Sequence, residues 1–236
     1  VVSAAESPLK NKKQLPNNGF MKVLLFIWAK LKQFGLAVWD GLKHIPYCCY
    51  CLTHPFEGFF RMKEDKRKQS MAATIILYAL LAVSAIAKQQ LTSYMFANVE
   101  SQLNLDVLKM VFTTLLPYML WVVSSWCFTS LMDGEGNLKD IFCATAVAAI
   151  PVIAVNIVLI PLSYLMTSDE SNLYDFISAL GTILMVAYMF LSMMSTQQYS
   201  VLKAIGTAIL TVVGMAVIAF VVILFFYLIQ QGWGFI

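Results

Sequence analysis

Charged side chains are scarce in this chain: they make up 12% of its 236 residues, against 60% hydrophobic, and the mean hydropathy is +0.74. Soluble domains are about a quarter charged, so an ordinary water-soluble fold is excluded. Histidine is scarcer still, with His44 and His54 the only two. There is no nucleophile motif, no Gly-rich phosphate loop and no pair of catalytic carboxylates, and HPF at His54 to Phe56 offers an imidazole with no fixed acid or nucleophile beside it. Enzyme activity is not expected. A formal net charge of +3 is too small to suggest nucleic acid. The five cysteines, at 48, 49, 51, 127 and 143, do not form the spaced, even set of a disulfide-stapled secreted domain. Reduced thiols facing a cytoplasm fit better.

What the chain has instead is apolar length. Five runs come near or exceed the roughly 20 residues that cross a bilayer: Met71 to Ala87, Val107 to Met132, Ile141 to Met166, Phe176 to Met194 and Ile205 to Ile229. The expected fold class is an all-α integral membrane protein with five transmembrane helices. An odd number of spans puts the termini on opposite sides. With a cytoplasmic N-terminus, only Lys88 and Lys109 of the 16 basic residues lie outside, which is the positive-inside asymmetry and places the C-terminus outside.

Residues 1–19 read as a mobile polar tail, and the segment 20–70 as cytoplasmic and interfacial. From Phe20 to Leu42, Lys22, Lys30, Lys32 and Asp40 fall mostly on one helical side and Val23, Ile27, Trp28, Leu31 and Phe34 on the other. A lysine at mid-bilayer costs about 3 kcal/mol, so this basic amphipathic helix is expected to lie on the membrane. Residues 71–236 form the five-helix domain. VVSAAESP has the small-residue look of a signal cleavage region without the preceding apolar core, and Met21 is a candidate native start.

Three groups of residues invite a functional reading. His44, Cys48, Cys51 and His54 combine soft thiolates with imidazole, as zinc would require, but the spacing matches no common zinc module; small apolar filler or lipidated thiols are the plainer alternatives. LMDGEGNLKD, Leu131 to Asp140, is a polar turn between two spans. Asp133, Glu135 and Asp140 are too few for an EF-hand-like loop. The plain expectation is a tight helix-to-helix connection, with Gly134 and Gly136 supplying positive φ and Asp140 near a helix N-terminus; a partner-binding loop is the other reading. The third span contains Pro151, Asn156 and Pro161, which predict a bent helix with a polar spot, either for helix packing or lining a pore. Each proline frees the carbonyl four residues earlier, at Val147 and Ile157, and Asn156 could satisfy such a group on a neighbouring helix. No Asp, Glu, Lys, Arg or His lies in the last four spans from Met110 onward, so an ion-coupled pump is not expected.

THPFEGFFRMKEDKRKQS, LWVVSSWCFTSLMDGEGNLKDIF, AIPVIAVNIVLIPLSYLMT and the closing QQYSVLKAIGTAILTVVGMAVIAF, in this order, resemble the bacterial branch of the Yip (Ypt-interacting protein) domain family. The specific part is Trp126, then Leu131 to Gly136, then Lys139 to Ile141. The resemblance covers roughly Tyr47 to Gln231. It implies five spans, a cytoplasmic N-terminus and a multi-pass protein of the bacterial plasma (inner) membrane. Eukaryotic relatives are trafficking factors that contact small GTPases. That role does not carry over, because their acidic N-terminal sequence is replaced here by a basic amphipathic helix.

The function expected is a non-enzymatic accessory or scaffold subunit that binds other membrane proteins. Family analogy suggests a carbohydrate ABC importer as the partner. The expected contact surface gathers His54, Phe56, Asp133, Glu135, Lys139, Asp140 and Tyr199. The alternative is a small transporter or channel-like pore along the bent third span. No cofactor and no nucleic acid is expected.

Overall fold

A computed structural model describes residues 39, 41, 43, 44, 46–48, 50–65, 70–93, 96 and 106–233. The predicted tail and nearly all of the predicted interfacial helix lie outside the described residues. Residues 38–236 form one compact unit, and among its described residues the regular structure is entirely helical. We label the helices α1 (Pro55–Glu64), α2 (Met71–Leu91), α3 (Val107–Leu131), α4 (Leu138–Ala148), α5 (Ile150–Leu165), α6 (Ser171–Gln197) and α7 (Val201–Trp233). Taking α4 and α5 as one span, five helices are long and apolar enough to cross a bilayer.

Local chemistry sets where each helix begins and stops. Pro55 opens α1, where its missing N–H costs nothing. Ser70 caps α2 by accepting from the Ala73 N–H at 3.3 Å, and Asp106 caps α3 from the Lys109 N–H at 3.1 Å. Pro151 offers no N–H to the Val147 carbonyl, and the third span divides at Ala149 into α4 and α5. Gln198, at φ +55°, ends α6 by turning left-handed.

Several spans are longer than their apolar runs. The first continues past Ala87 to Leu91, with Lys88 Nζ on Ser178 Oγ at 2.9 Å and 5.8 Å over the Tyr174 ring. The third starts at Leu138, three residues before the apolar run, because the Asn137 N–H donates to Asp140 Oδ2 at 3.0 Å and adds a capped turn.

The divided third span is the most buried of the five and packs against α2 and α6. Alanines and other small side chains at 143–149 allow that close packing. Asn156 is 7% exposed. Its Nδ2 donates to Ser84 Oγ of α2 at 3.5 Å, so it ties two helices through side chains and does not serve a proline-freed carbonyl. Pro151 is buried and Pro161 exposed.

Helix α7 rests mainly on α3, where Thr207 and Thr211 are fully buried. Ser124 Oγ donates to the Thr211 carbonyl at 2.7 Å. A Cβ on Gly214 would run into the Phe128 ring and Ser124 Oγ, whereas one on Gly206 meets nothing within 4 Å. In a thermal melt of the purified protein, Gly214→Ala is therefore expected to destabilise by about 1–3 kcal/mol. Gly206→Ala is expected to be neutral or to stabilise by up to about 1 kcal/mol. Equal effects at the two sites would contradict this packing.

Candidate functional site

The polar loop at 131–140 is held from below by the end of α6. Gly134 N–H donates to the Thr129 carbonyl at 2.8 Å, and Gly136 N–H donates to Gln197 Oε1 at 2.8 Å. Tyr199 Oη lies 3.3 Å from the Thr129 carbonyl and 3.2 Å from that of Met132. The loop's backbone groups are thus matched by a buried amide and a phenol delivered from a different span. This is what a connection between helices needs where part of its backbone is covered.

The glycines in the loop have a different role from the one expected. Neither has positive φ; the left-handed residue is Asp133, at φ +55°, and aspartate tolerates that region better than most side chains. Gly134 and Gly136 are required by proximity. A Cβ on Gly134 would lie 2.7 Å from Tyr199 Oη, and one on Gly136 would lie 2.7 Å from Gln197 Nε2.

The three acids of the loop are used separately, not gathered as cation ligands. Glu135 Oε2 accepts from Lys63 Nζ of α1 at 2.7 Å, with the lysine largely covered and the glutamate exposed. Asp140 caps α4. Asp133 is exposed, and its charge, after burial itself, helps to raise the Tyr199 pKa above the ordinary tyrosine value. Lys203 Nζ stands 4.4 Å over the Tyr199 ring.

Of the predicted contact residues, Phe56 and Tyr199 line one groove, and Glu135 is tied to α1 through Lys63. Phe56, His54, Asp133, Glu135 and Lys139 are exposed. Tyr199 is only 7% exposed; it holds the loop from inside and reaches the surface only where it lines a groove. Beside it, Phe56, Glu57 and Phe60 of α1 face Met194, Ser195 and Gln198 across a groove of about 470 Å³. Glu57 pairs with Arg61 along α1.

The sequence offers His44, Cys48, Cys51 and His54 as candidate metal ligands. Among the described residues no group of three or more His, Cys, Asp or Glu is placed to hold a metal ion. Cys48 and Cys51 belong to the core with Phe59, Met62 and Leu77. A Cβ on Gly58 would lie 2.7 Å from Cys51 Cα, so a small side chain is needed where the two segments touch. His54 is exposed, stacks on Tyr50 at 4.9 Å and meets Thr53 Oγ1 at 3.0 Å. Pro151, Asn156 and Pro161 lie in the packed third span, away from this loop, and line neither the groove nor the small cavity beneath the loop.

Thr129 was not singled out by sequence reasoning, and Lys63 and Gln197 entered it only as the ends of the polar stretches 54–63 and 197–203 on the expected contact face, although all three hold the loop. The one available signal was the QQY string, two amides and a phenol at the end of an otherwise apolar span.

Among known proteins, the family model of the Yip1 domain matches residues 50–190, more than half of the chain. No curated protein and no solved structure matches.

If proximity and not φ governs the loop, Gly134→Ala and Gly136→Ala are each expected to lower the melting temperature. Asp133→Gly, which relieves a left-handed side chain, is expected to leave it unchanged or raise it. A double-mutant cycle on Lys63 and Glu135 is expected to give at most about 1 kcal/mol, since one partner is solvated.

Proposed function

This chain belongs to the Yip1 domain family, and from that premise we propose that it is a non-enzymatic accessory or scaffold protein of a bacterial plasma membrane, holding other membrane proteins by the face that bears the 131–140 loop. In this reading the face is cytoplasmic, the orientation that leaves only Lys88 and Lys109 on the far side. The partner class suggested by the resemblance to the bacterial branch is a carbohydrate ABC importer.

The observation that supports a binding role is convergence. Three segments far apart in sequence, α1, the loop, and residues 197–203, are tied into one surface by Lys63 to Glu135 and Gln197 to Gly136. A surface held from below by buried hydrogen bonds presents its exposed groups with little ordering cost on association. Its exposed groups suit a partner that brings an apolar side chain and a base. Phe56 and Phe60 are exposed aromatics beside the groove, and Asp133 stands exposed near it. Aromatics of this kind are enriched among residues that dominate interface energies.

The test is affinity purification of the full chain from its own membranes at native expression, with Phe56→Ala/Phe60→Ala alongside the wild type. Truncating central aromatics costs about 2 kcal/mol or more each, so the double variant is expected to bind the partner on the order of a thousandfold more weakly and to recover little of it. Its melting temperature is expected to stay the same, since both rings are exposed. Equal recovery by the two proteins, or no stoichiometric partner for the wild type, would overturn the proposal.

A further inference from the structure

Beneath the loop, Ser125 of α3 and Thr196 and Gln197 of α6 line a cavity together with Trp121, Ala144 and Met193. About 10 Å³ of it is open to a water-sized sphere, which is room for one water. Ser125 Oγ, Thr196 Oγ1 and Gln197 Nε2 are all buried and have no hydrogen-bond partner in the protein. Buried polar atoms without partners are rare, and three lining one cavity is not a scatter of exceptions.

Their neighbours show the alternative these hydroxyls have not taken. Thr129 Oγ1 donates back to the Ser125 carbonyl at 2.8 Å, Thr145 Oγ1 to Ile141 at 2.7 Å, and Ser192 Oγ to Met189 at 2.8 Å. Ser125 and Thr196, on the same helices as Thr129 and Ser192, do not bond back to their own helices in this way. Gln197 lines the cavity and has its amide orientation set by the loop, because Oε1 accepts from Gly136 N–H and leaves the NH₂ without a partner in the protein.

We propose that this cavity is a binding site for one ordered water. The water accepts from Gln197 Nε2 and exchanges a hydrogen bond with each of the Ser125 and Thr196 hydroxyls. Three partners is the usual number for a buried water. The donor set selects water over a cation, since an amide NH₂ at the site presents its hydrogens to the ligand. With the water in place, Gln197 is held at both ends, by the loop through its oxygen and by α3 through its nitrogen. The loop is thereby coupled to a helix that Gln197 does not itself bond.

Two measurements on the full chain test the site, and neither depends on whether any partner protein is found. A wild-type map at a resolution that shows ordered water is expected to hold density within hydrogen-bond distance of all three atoms; an empty cavity overturns the proposal. Thr196→Val removes the hydroxyl at nearly constant volume. If the water is there, the variant strips one of its partners and the melting temperature falls. If the cavity is dry, the variant removes only an unpaired hydroxyl, and the melting temperature stays or rises, which overturns the proposal.

Discussion

The hydrogen bond from Gly136 N–H to Gln197 Oε1 is the contact on which the arrangement of this face depends. A loop joining two apolar spans has backbone groups that cannot all turn to water, and each one left unpaired is costly. Here an amide on the last turn of α6 and the phenol of Tyr199 supply what the loop lacks. Their reach is short enough that neither Gly134 nor Gly136 has room for a side chain. Once the loop is fixed, Glu135 is placed for Lys63 and Asp140 for the start of α4. One backbone grip therefore brings together the ends of α3, α4 and α6 and the amphipathic α1.

Inside the spans, polar side chains are used in the same economical way. Asn156 meets Ser84, Ser124 meets the Thr211 carbonyl, and Thr207 and Thr211 return their hydroxyls to their own helix. These are helix-to-helix ties and locally satisfied groups. The absence of a side chain at Gly214 leaves room for Ser124 at one of these ties.

Much of this was legible in the sequence, and the division between what was and what was not has a physical cause. The five spans follow from run length, because crossing hydrocarbon needs about 20 apolar residues whatever they pack against. The proline break follows from a missing N–H. The ends of the spans did not follow as well: α4 starts early because Asp140 caps it, and α2 ends late because Ser178, 90 residues further on, covers Lys88. The loop's importance showed in its composition, but the reason for its glycines did not. Proximity to Gln197, 61 residues away, is a tertiary fact, whereas positive φ is the local explanation that sequence reasoning reaches first. The buried position of Tyr199 was not legible for the same reason: a polar aromatic at a span's end can face outward or turn in, and only the fold decides.

Amide hydrogen exchange across residues 131–140 tests the central claim most directly, comparing the wild type with Gln197→Leu. Slow exchange at Gly134 and Gly136 in the wild type, with protection lost at Gly136 in the variant, is the expected result. Exchange at Gly136 as fast as in a free loop in the wild type, or protection there that survives the loss of the Gln197 amide, would contradict it.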